Sequence, residues 1–186
     1  ALAEQTVIVA GTAAAEQVLP QLAASLRQTL DQRHALAAQI EQVVDAHPLA
    51  EVLTSMPGVG VRTAARILLD VGDASQFPTA GHLAAYAGLA PVTRRSGTSI
   101  RGEFPARSGN KHLKRALFLS AFAALRSDPT SKAYYDRKRA QGKKHNAALI
   151  CLSRRRCDVL FAMLKNREPY RAPTPTREPS PLPLAA

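Results

Sequence analysis

The sequence predicts a mainly α-helical fold, in which a coiled-coil-like helical arm precedes a compact helical domain with a helix-hairpin-helix and a polar loop. Three observations carry this. Ala and Leu are abundant while Trp is absent and aromatics make up only 5% of the chain, a balance that suits packed helices better than a β-sandwich. Apolar residues recur at helical spacing through most of the length. Pro and Gly fall in clusters that separate these runs rather than inside them. With 186 residues, 46% of them hydrophobic, the chain can hold one modest globular domain with an extension, or two small domains.

The first dozen residues include the apolar run Val7-Ile8-Val9-Ala10, which has no clear partner strand, and the chain begins with Ala. Residues 1–15 are therefore expected to be residual linker of a longer protein. An arm is expected over 16–47. Within it Leu19, Leu22, Leu26, Leu36, Ile40 and Val43 follow a 3-4 spacing that a coiled coil or an antiparallel helix pair would use, with Thr29 and Arg33 interrupting the seam. Such a helix either packs on its own domain or serves as an arm that dimerises. His47-Pro48 ends it, because the residue before proline is pushed out of the α region.

A transposition of pattern follows at 48–167, the expected compact domain. A short helix over 49–55 leads into Met56-Pro57-Gly58-Val59-Gly60-Val61-Arg62, where two glycines flank one apolar residue at the start of the next helix. This matches the helix-hairpin-helix of many DNA-binding proteins, expected here over 50–70, with Val59 plugging the turn into the core. Backbone N–H groups of Gly58, Val59 and Gly60 could take a phosphate against the helix dipole, with Arg62 beside them. A plain αα-corner with a glycine turn explains the same residues. A short helix over 80–87 precedes Gly88-Leu89-Ala90-Pro91, and residues 92–108 lack helical periodicity, so they read as a loop or short β-hairpin. Helices are expected from the segment opening at Gly109 to about 126, capped by Ser108 or Asn110, then over 131–141 and 143–165. From 168 to 186, six prolines in nineteen residues predict a disordered tail.

Charge divides the chain. Residues 1–93 hold 4 Lys/Arg against 8 Asp/Glu, whereas residues 94–186 hold 21 against 6, which makes the second half the one that faces a polyanion. Lys111, Lys114 and Arg115 fall on one side of their helix. Cys151 and Cys157 form no CxxC pair and the five histidines are scattered, so no metal site is expected in this chain and a reducing compartment fits. The longest apolar stretch, 116–125, is half a membrane span, so a soluble chain without a membrane partner is expected.

Hydroxyls and guanidinium groups meet in Arg94-Arg95-Ser96-Gly97-Thr98-Ser99-Ile100-Arg101-Gly102. A serine attacks a phosphodiester only if its proton is removed and the charge on phosphorus is balanced. Arg94, Arg95 and Arg101 could clamp the phosphate oxygens. No carboxylate or histidine lies nearby in sequence to act as base. On the residues alone Ser96, Ser99 and Ser108 are comparable hydroxyls, and a Ser-Gly in a basic loop also reads as a turn.

Four blocks in order carry a resemblance: residues 53–60; Phe77 with 83–91; 95–102; and Gly109-Asn110-Lys111-His112-Leu113-Lys114-Arg115. Together they resemble the C-terminal transposase domain of the IS110/IS116/IS902 insertion-sequence family, with the helix over 19–44 similar to the coiled-coil arm that precedes it. The resemblance implies a DNA transposase/recombinase in which Ser96 becomes covalently joined to DNA, and on their charge Arg95 and Arg101 are expected to polarise the phosphate that it attacks. Arg94, Gly58, Val59, Gly60, Arg62, Lys111, Lys114 and Arg115 are the DNA contacts expected from the glycine turn and the basic residues. The resemblance further implies homo-oligomers, a structured guide RNA, a bacterial cytoplasmic and nucleoid-associated setting, and Mg²⁺ held by an acidic RuvC-like domain. Glu4, Glu16, Asp31, Glu41 and Asp45 do not form the motifs of that domain, so no cofactor is expected on this chain and a partial transposase is expected. A non-catalytic helix-hairpin-helix nucleic-acid-binding module is the alternative.

Overall fold

Seven helices and one two-stranded hairpin follow one another in a computed structural model that describes residues 11–96, 100–104 and 106–172. At positions 13, 93–96, 100, 101 and 103 the description covers the backbone alone. The run Val7-Ile8-Val9-Ala10, the turn residues Gly97, Thr98 and Ser99, and the tail 173–186 lie outside the described residues. The chain divides into two compact units, Ala1–Val43 and Val44–Ala186.

The first unit is built on α1 (Thr12–Asp45), which begins earlier than the 3-4 pattern alone indicated and carries Pro20 inside it. Leu19, Leu22, Leu26, Leu36, Ile40 and Val43 are all exposed. The seam residue Thr29 turns its hydroxyl onto its own helix, donating to the Ser25 carbonyl at 2.8 Å. Arg33, also on the seam, lies 3.2 Å from His34 through its guanidinium.

In the second unit, α2 (Ala50–Thr54) and α3 (Val61–Val71) are joined by a turn, α4 (Ala80–Tyr86) follows, and α5 (Lys111–Ser127), α6 (Pro129–Ala140) and α7 (His145–Asn166) complete the helical body. Each start has a local cause. Thr79 accepts from the His82 N–H at the head of α4, and Asn110 accepts from His112 and Leu113 at the head of α5, so Asn110 and not Ser108 is the cap. Asp128 caps α6 by accepting from Thr130 and Ser131, and Pro129 stands at the first helical position, which places that start two residues before the expected Ser131. The core is aliphatic: Leu53, Ile67, Leu83, Leu113, Leu117, Leu149, Leu160 and Leu164 are fully buried. Helix α7 packs against α2, α4, α5 and α6, and its buried residues recur at 148, 149, 152, 153, 156, 157, 160, 163 and 164. That stripe is the helical 3-4 repeat.

Residues 92–108 hold an antiparallel hairpin, β1 (Val92–Ser96) and β2 (Ile100–Phe104). Its register sets Val92 opposite Phe104, Arg94 opposite Gly102, Arg95 opposite Arg101 and Ser96 opposite Ile100. Residues 168–172, expected to belong to a disordered tail, have a described structure. Arg167 adopts a left-handed conformation (φ 54°), the Glu168 N–H returns to the Met163 carbonyl, and Tyr170 packs on the core with its N–H donating to the Ser55 hydroxyl at 2.8 Å. An aromatic ring among prolines supplied enough apolar area to dock.

Two close approaches fix the body. Gly58 (φ 79°) lies against α5 so tightly that a Cβ there would meet the Ser120 carbonyl oxygen at 2.4 Å and the Ala124 nitrogen at 2.8 Å. Gly88 (φ 65°) and Gly109 (φ 101°) cross at the base of the hairpin, where a Cβ on Gly109 would meet the Gly88 nitrogen at 2.6 Å. Neither backbone can retreat without moving a helix. Gly58→Ala is therefore expected to cost roughly 2–5 kcal/mol, left-handed strain adding to overpacking. Gly60→Ala, with nothing within 4 Å of its Cβ position, should cost about 1 kcal/mol or less. Urea unfolding of the two variants measures both, and equal losses would contradict the packing described.

Candidate nucleic-acid interface and serine hairpin

The turn between α2 and α3 divides the functions expected of its residues. Val59 is buried at 6% exposure, plugging the turn into the core as its position between two glycines predicts. Its N–H already donates to the Met56 carbonyl at 3.0 Å. Val59 thus has neither a side chain nor an N–H to offer a phosphate, which corrects the expectation that it faces DNA, while the half-buried Gly58 turns the side that would carry a Cβ towards α5. Gly60 is different. It is exposed, caps α3 with extended backbone and has open space around it, while Arg62 is exposed in the first turn. The first N–H groups of any helix lack intrahelical partners, and no side chain caps this one.

A buried cation holds this turn from behind. Arg156 is 3% exposed and donates from Nη2 to the Pro57 carbonyl. Burial pushes its guanidinium below the ordinary value, opposed by the charge of Asp128. Its Nε has no hydrogen-bond partner among the described residues and borders a cavity of about 30 Å³ lined also by Asp128, Met56 and Tyr170. The signal for a buried arginine was present in the sequence: position 156 falls on the apolar stripe between Leu152 and Leu160, whereas 154 and 155 fall off it.

At the base of the serine hairpin, α4, α3 and α5 meet in polar contacts. The Asn110 N–H donates to the Tyr86 carbonyl at 2.7 Å, and its side-chain amide donates to the Tyr86 hydroxyl at 3.2 Å. Lys114 donates to the Ala106 carbonyl at 3.2 Å, so this lysine ties down the returning arm of the hairpin. Lys111 and Arg115 are exposed on the same helix. Arg66 grips Asp70 with two hydrogen bonds of 2.6 and 2.8 Å. Burial would raise the Asp70 carboxyl, but hydrogen bonds from Arg66 and Asn110 with the Arg66 charge outweigh it and hold the group below its ordinary value.

Beyond the clamp, the ladder sets Arg95 opposite Arg101, with the Ser96–Ile100 pair next to the turn. The backbone therefore sets Arg95 level with Arg101, six positions away in sequence, with Ser96 the next residue towards the turn. Arg94 pairs with Gly102 one step further back. Ser99 lies outside the described residues. Cys157 is buried, its thiol pushed up to about 12 by burial, so it is no nucleophile. Among the described residues no three His, Cys, Asp or Glu side chains converge, and Asp70, Asp136 and Asp158 are each paired with a cation four positions away. No helix among the described residues is long and apolar enough to cross a membrane.

Because the folded Asp70 carboxyl titrates below its unfolded value, its stabilising contribution is present above about pH 4 and is lost as the pH falls through the lowered folded value. Asp70→Asn should destabilise the protein at pH 7, and the gap from the unchanged protein should narrow towards pH 3. Denaturant midpoints at the two pH values measure it, and a pH-independent gap would contradict the ion-pair assignment.

Comparison with known proteins places this arrangement. The family described as "Transposase IS116/IS110/IS902 family" matches residues 50–136, which contain the α2–α3 turn, the hairpin and α5. A 43.6 kDa protein of insertion element IS110 from Streptomyces coelicolor is 59% identical over 175 residues, covering 94% of this chain and 43% of that protein. A 42 kDa protein of IS900 from Mycobacterium paratuberculosis is 44% identical, covering 75% of this chain and 35% of its own length. The pilin gene-inverting protein of Moraxella bovis is 32% identical over 152 residues, covering 78% of this chain and 47% of its own. The chain spans less than half the length of these curated relatives. Through residues 50–136 and the identities that extend on either side of them, the chain belongs to the IS116/IS110/IS902 transposase family.

Proposed function

We propose that this chain is the serine-bearing part of a DNA recombinase that moves an insertion sequence, with Ser96 as the nucleophile. The observation that carries the reading is the register of the hairpin: Arg95 stands directly across from Arg101, beside the Ser96–Ile100 pair. Like charges directly opposite each other destabilise a two-stranded ladder. An anion at that place relieves the repulsion, and the phosphodiester of DNA is such an anion. A relative whose name says that it inverts a gene supports recombination as the reaction class.

In this reaction the Ser96 oxygen forms a bond to phosphorus, the bond from phosphorus to the departing deoxyribose oxygen breaks, and the serine proton passes to a base outside the residues described. Arg95 and Arg101 balance the charge that grows on the non-bridging oxygens. Loss of one such contact lowers rates by about 10²–10³ in other enzymes. Arg94, Gly60, Arg62, Lys111 and Arg115 hold the backbone and carry no sequence information. Mg²⁺ and a guide RNA belong to the same reading, on the strength of family membership, and no step above is assigned to them.

The exposed apolar seam of α1 supports a homo-oligomer as the working form. Leu19, Leu22 and Leu26 and then Leu36, Ile40 and Val43 repeat every 3.5 residues, the period of a two-stranded coiled coil. Leu26→Glu is expected to lower the sedimentation mass to that of one chain.

For the chemistry, the full-length protein with cognate DNA should yield a covalent protein–DNA adduct that survives denaturing electrophoresis. Ser96→Ala should abolish it while leaving duplex binding within about twofold, because a hydroxyl adds little to an electrostatic interface. An adduct that persists in the variant would overturn Ser96 as the nucleophile, whereas no adduct under any metal condition with duplex binding intact would favour a non-catalytic nucleic-acid-binding module.

A further inference from the structure

We propose that the face formed by α6 and the middle of α7, organised around Tyr134, is a second contact surface for the phosphate backbone of duplex DNA, separate from the serine hairpin. The inference rests on the reading of this chain as a DNA-handling protein. Residues 126–156 contain ten Lys/Arg against two carboxylates, Asp128 and Asp136. What makes this more than a charge run is its arrangement. Arg137 and Lys138 of α6 and Arg155 of α7 converge on one half-buried ring, at 5.2, 5.6 and 5.1 Å from the centroid of Tyr134.

Every nearby carboxylate is already engaged. Asp136 accepts both its bonds from Lys132, at 2.7 and 2.8 Å, and Asp158 is held by Arg154. Asp128 is spent on the N–H groups and the Ser131 hydroxyl at the head of α6. Arg137 and Arg155 therefore have no carboxylate partner among the described residues, and both are exposed. An aromatic face holds guanidinium groups without neutralising them. Their mutual repulsion remains, and a polyanion with closely spaced charges is the partner that removes it. The planar guanidinium fork can meanwhile bond two oxygens of one phosphate from its position over the ring.

The face is also tied to the α2–α3 turn. Arg155 reaches the surface, while its neighbour Arg156 donates to the Pro57 carbonyl of the turn. One stretch of α7 thus sets the spacing between the two surfaces, so a duplex that touches both meets a preformed pair. A flexible basic tail would have to be ordered on binding; this face is not.

Fluorescence anisotropy of the full chain with a labelled random-sequence duplex, across a series of NaCl concentrations, tests the proposal. Arg137→Ala with Arg155→Ala should reduce the slope of log K against log salt by about 1.8, two phosphate contacts at about 0.9 each. Tyr134→Phe should bind as the unchanged protein does, whereas Tyr134→Leu should weaken binding several-fold although no charge is lost. Thermal melts of each variant separate binding from folding, and the arginine pair, being exposed, leaves a folded protein to measure. A slope for Arg137→Ala/Arg155→Ala equal to that of an Arg27→Ala/Arg33→Ala control overturns the proposal. If Lys111→Ala/Arg115→Ala then still lowers the slope, DNA handling stands and only this face fails. No duplex affinity in the unchanged protein at low salt overturns both.

Discussion

Backbone meeting backbone without side chains is the constraint from which the rest of the molecule follows. At Gly88 and Gly109 two segments that enter and leave the hairpin cross with no room for a Cβ, and at Gly58 the α2–α3 turn rests directly on the main chain of α5. Protein interiors are packed as densely as organic crystals, so such crossings cannot slide to accommodate an extra methyl group. They place the base of the hairpin at the head of α5 and the α2–α3 turn beside the Ser120–Ala124 stretch of the same helix. The polar contacts of Asn110, Tyr86 and Lys114 then complete a seat for the hairpin that its own two short strands could not supply, since an isolated two-stranded ribbon is marginally stable in water.

Division of labour among cations is the second organising theme. In a chain of formal charge +11, arginines and lysines occupy three environments. Arg156 is buried and structural, Arg66, Lys132 and Arg154 are paired with aspartates one helical turn away, and Arg137 and Arg155 are left without a carboxylate. Composition registers all of them equally. Only position on or off the apolar stripe, and the distance to the next aspartate, separates those that hold the fold from those that can meet a ligand.

Much of the helical body was legible in the sequence because its signals are local: 3-4 spacing, Pro and Gly boundaries, and short-range caps. The pairing of Arg95 with Arg101 was not, since a basic loop and a short ladder have the same composition, and only a register tells which positions oppose. Ser108 and Asn110 were both plausible caps; the choice was made by the left-handed Gly109 between them, which brings the Asn110 side chain over the first turn. Val59 was correctly read as a plug, yet that same role removes it from any ligand contact, a conflict visible only when its N–H is followed to Met56. Tyr170 was lost among prolines because docking depends on a distant groove. Ser96 was singled out by resemblance, and chemistry alone left it level with its neighbours.

Among the described residues the Nε of Arg156 has no partner, and this bears on how the molecule breathes. A buried guanidinium that bonds to Pro57 cannot lose that acceptor without leaving a desolvated charge with one fewer partner, which is costly. Opening of the α2–α3 turn is therefore coupled to the head of α6 and to the segment that follows α7, from which Asp128 and Tyr170 act on the same charge. Segments that would otherwise fray one at a time are joined into a single cooperative unit. The domain keeps its two outer surfaces in register because one interior cation makes independent motion expensive.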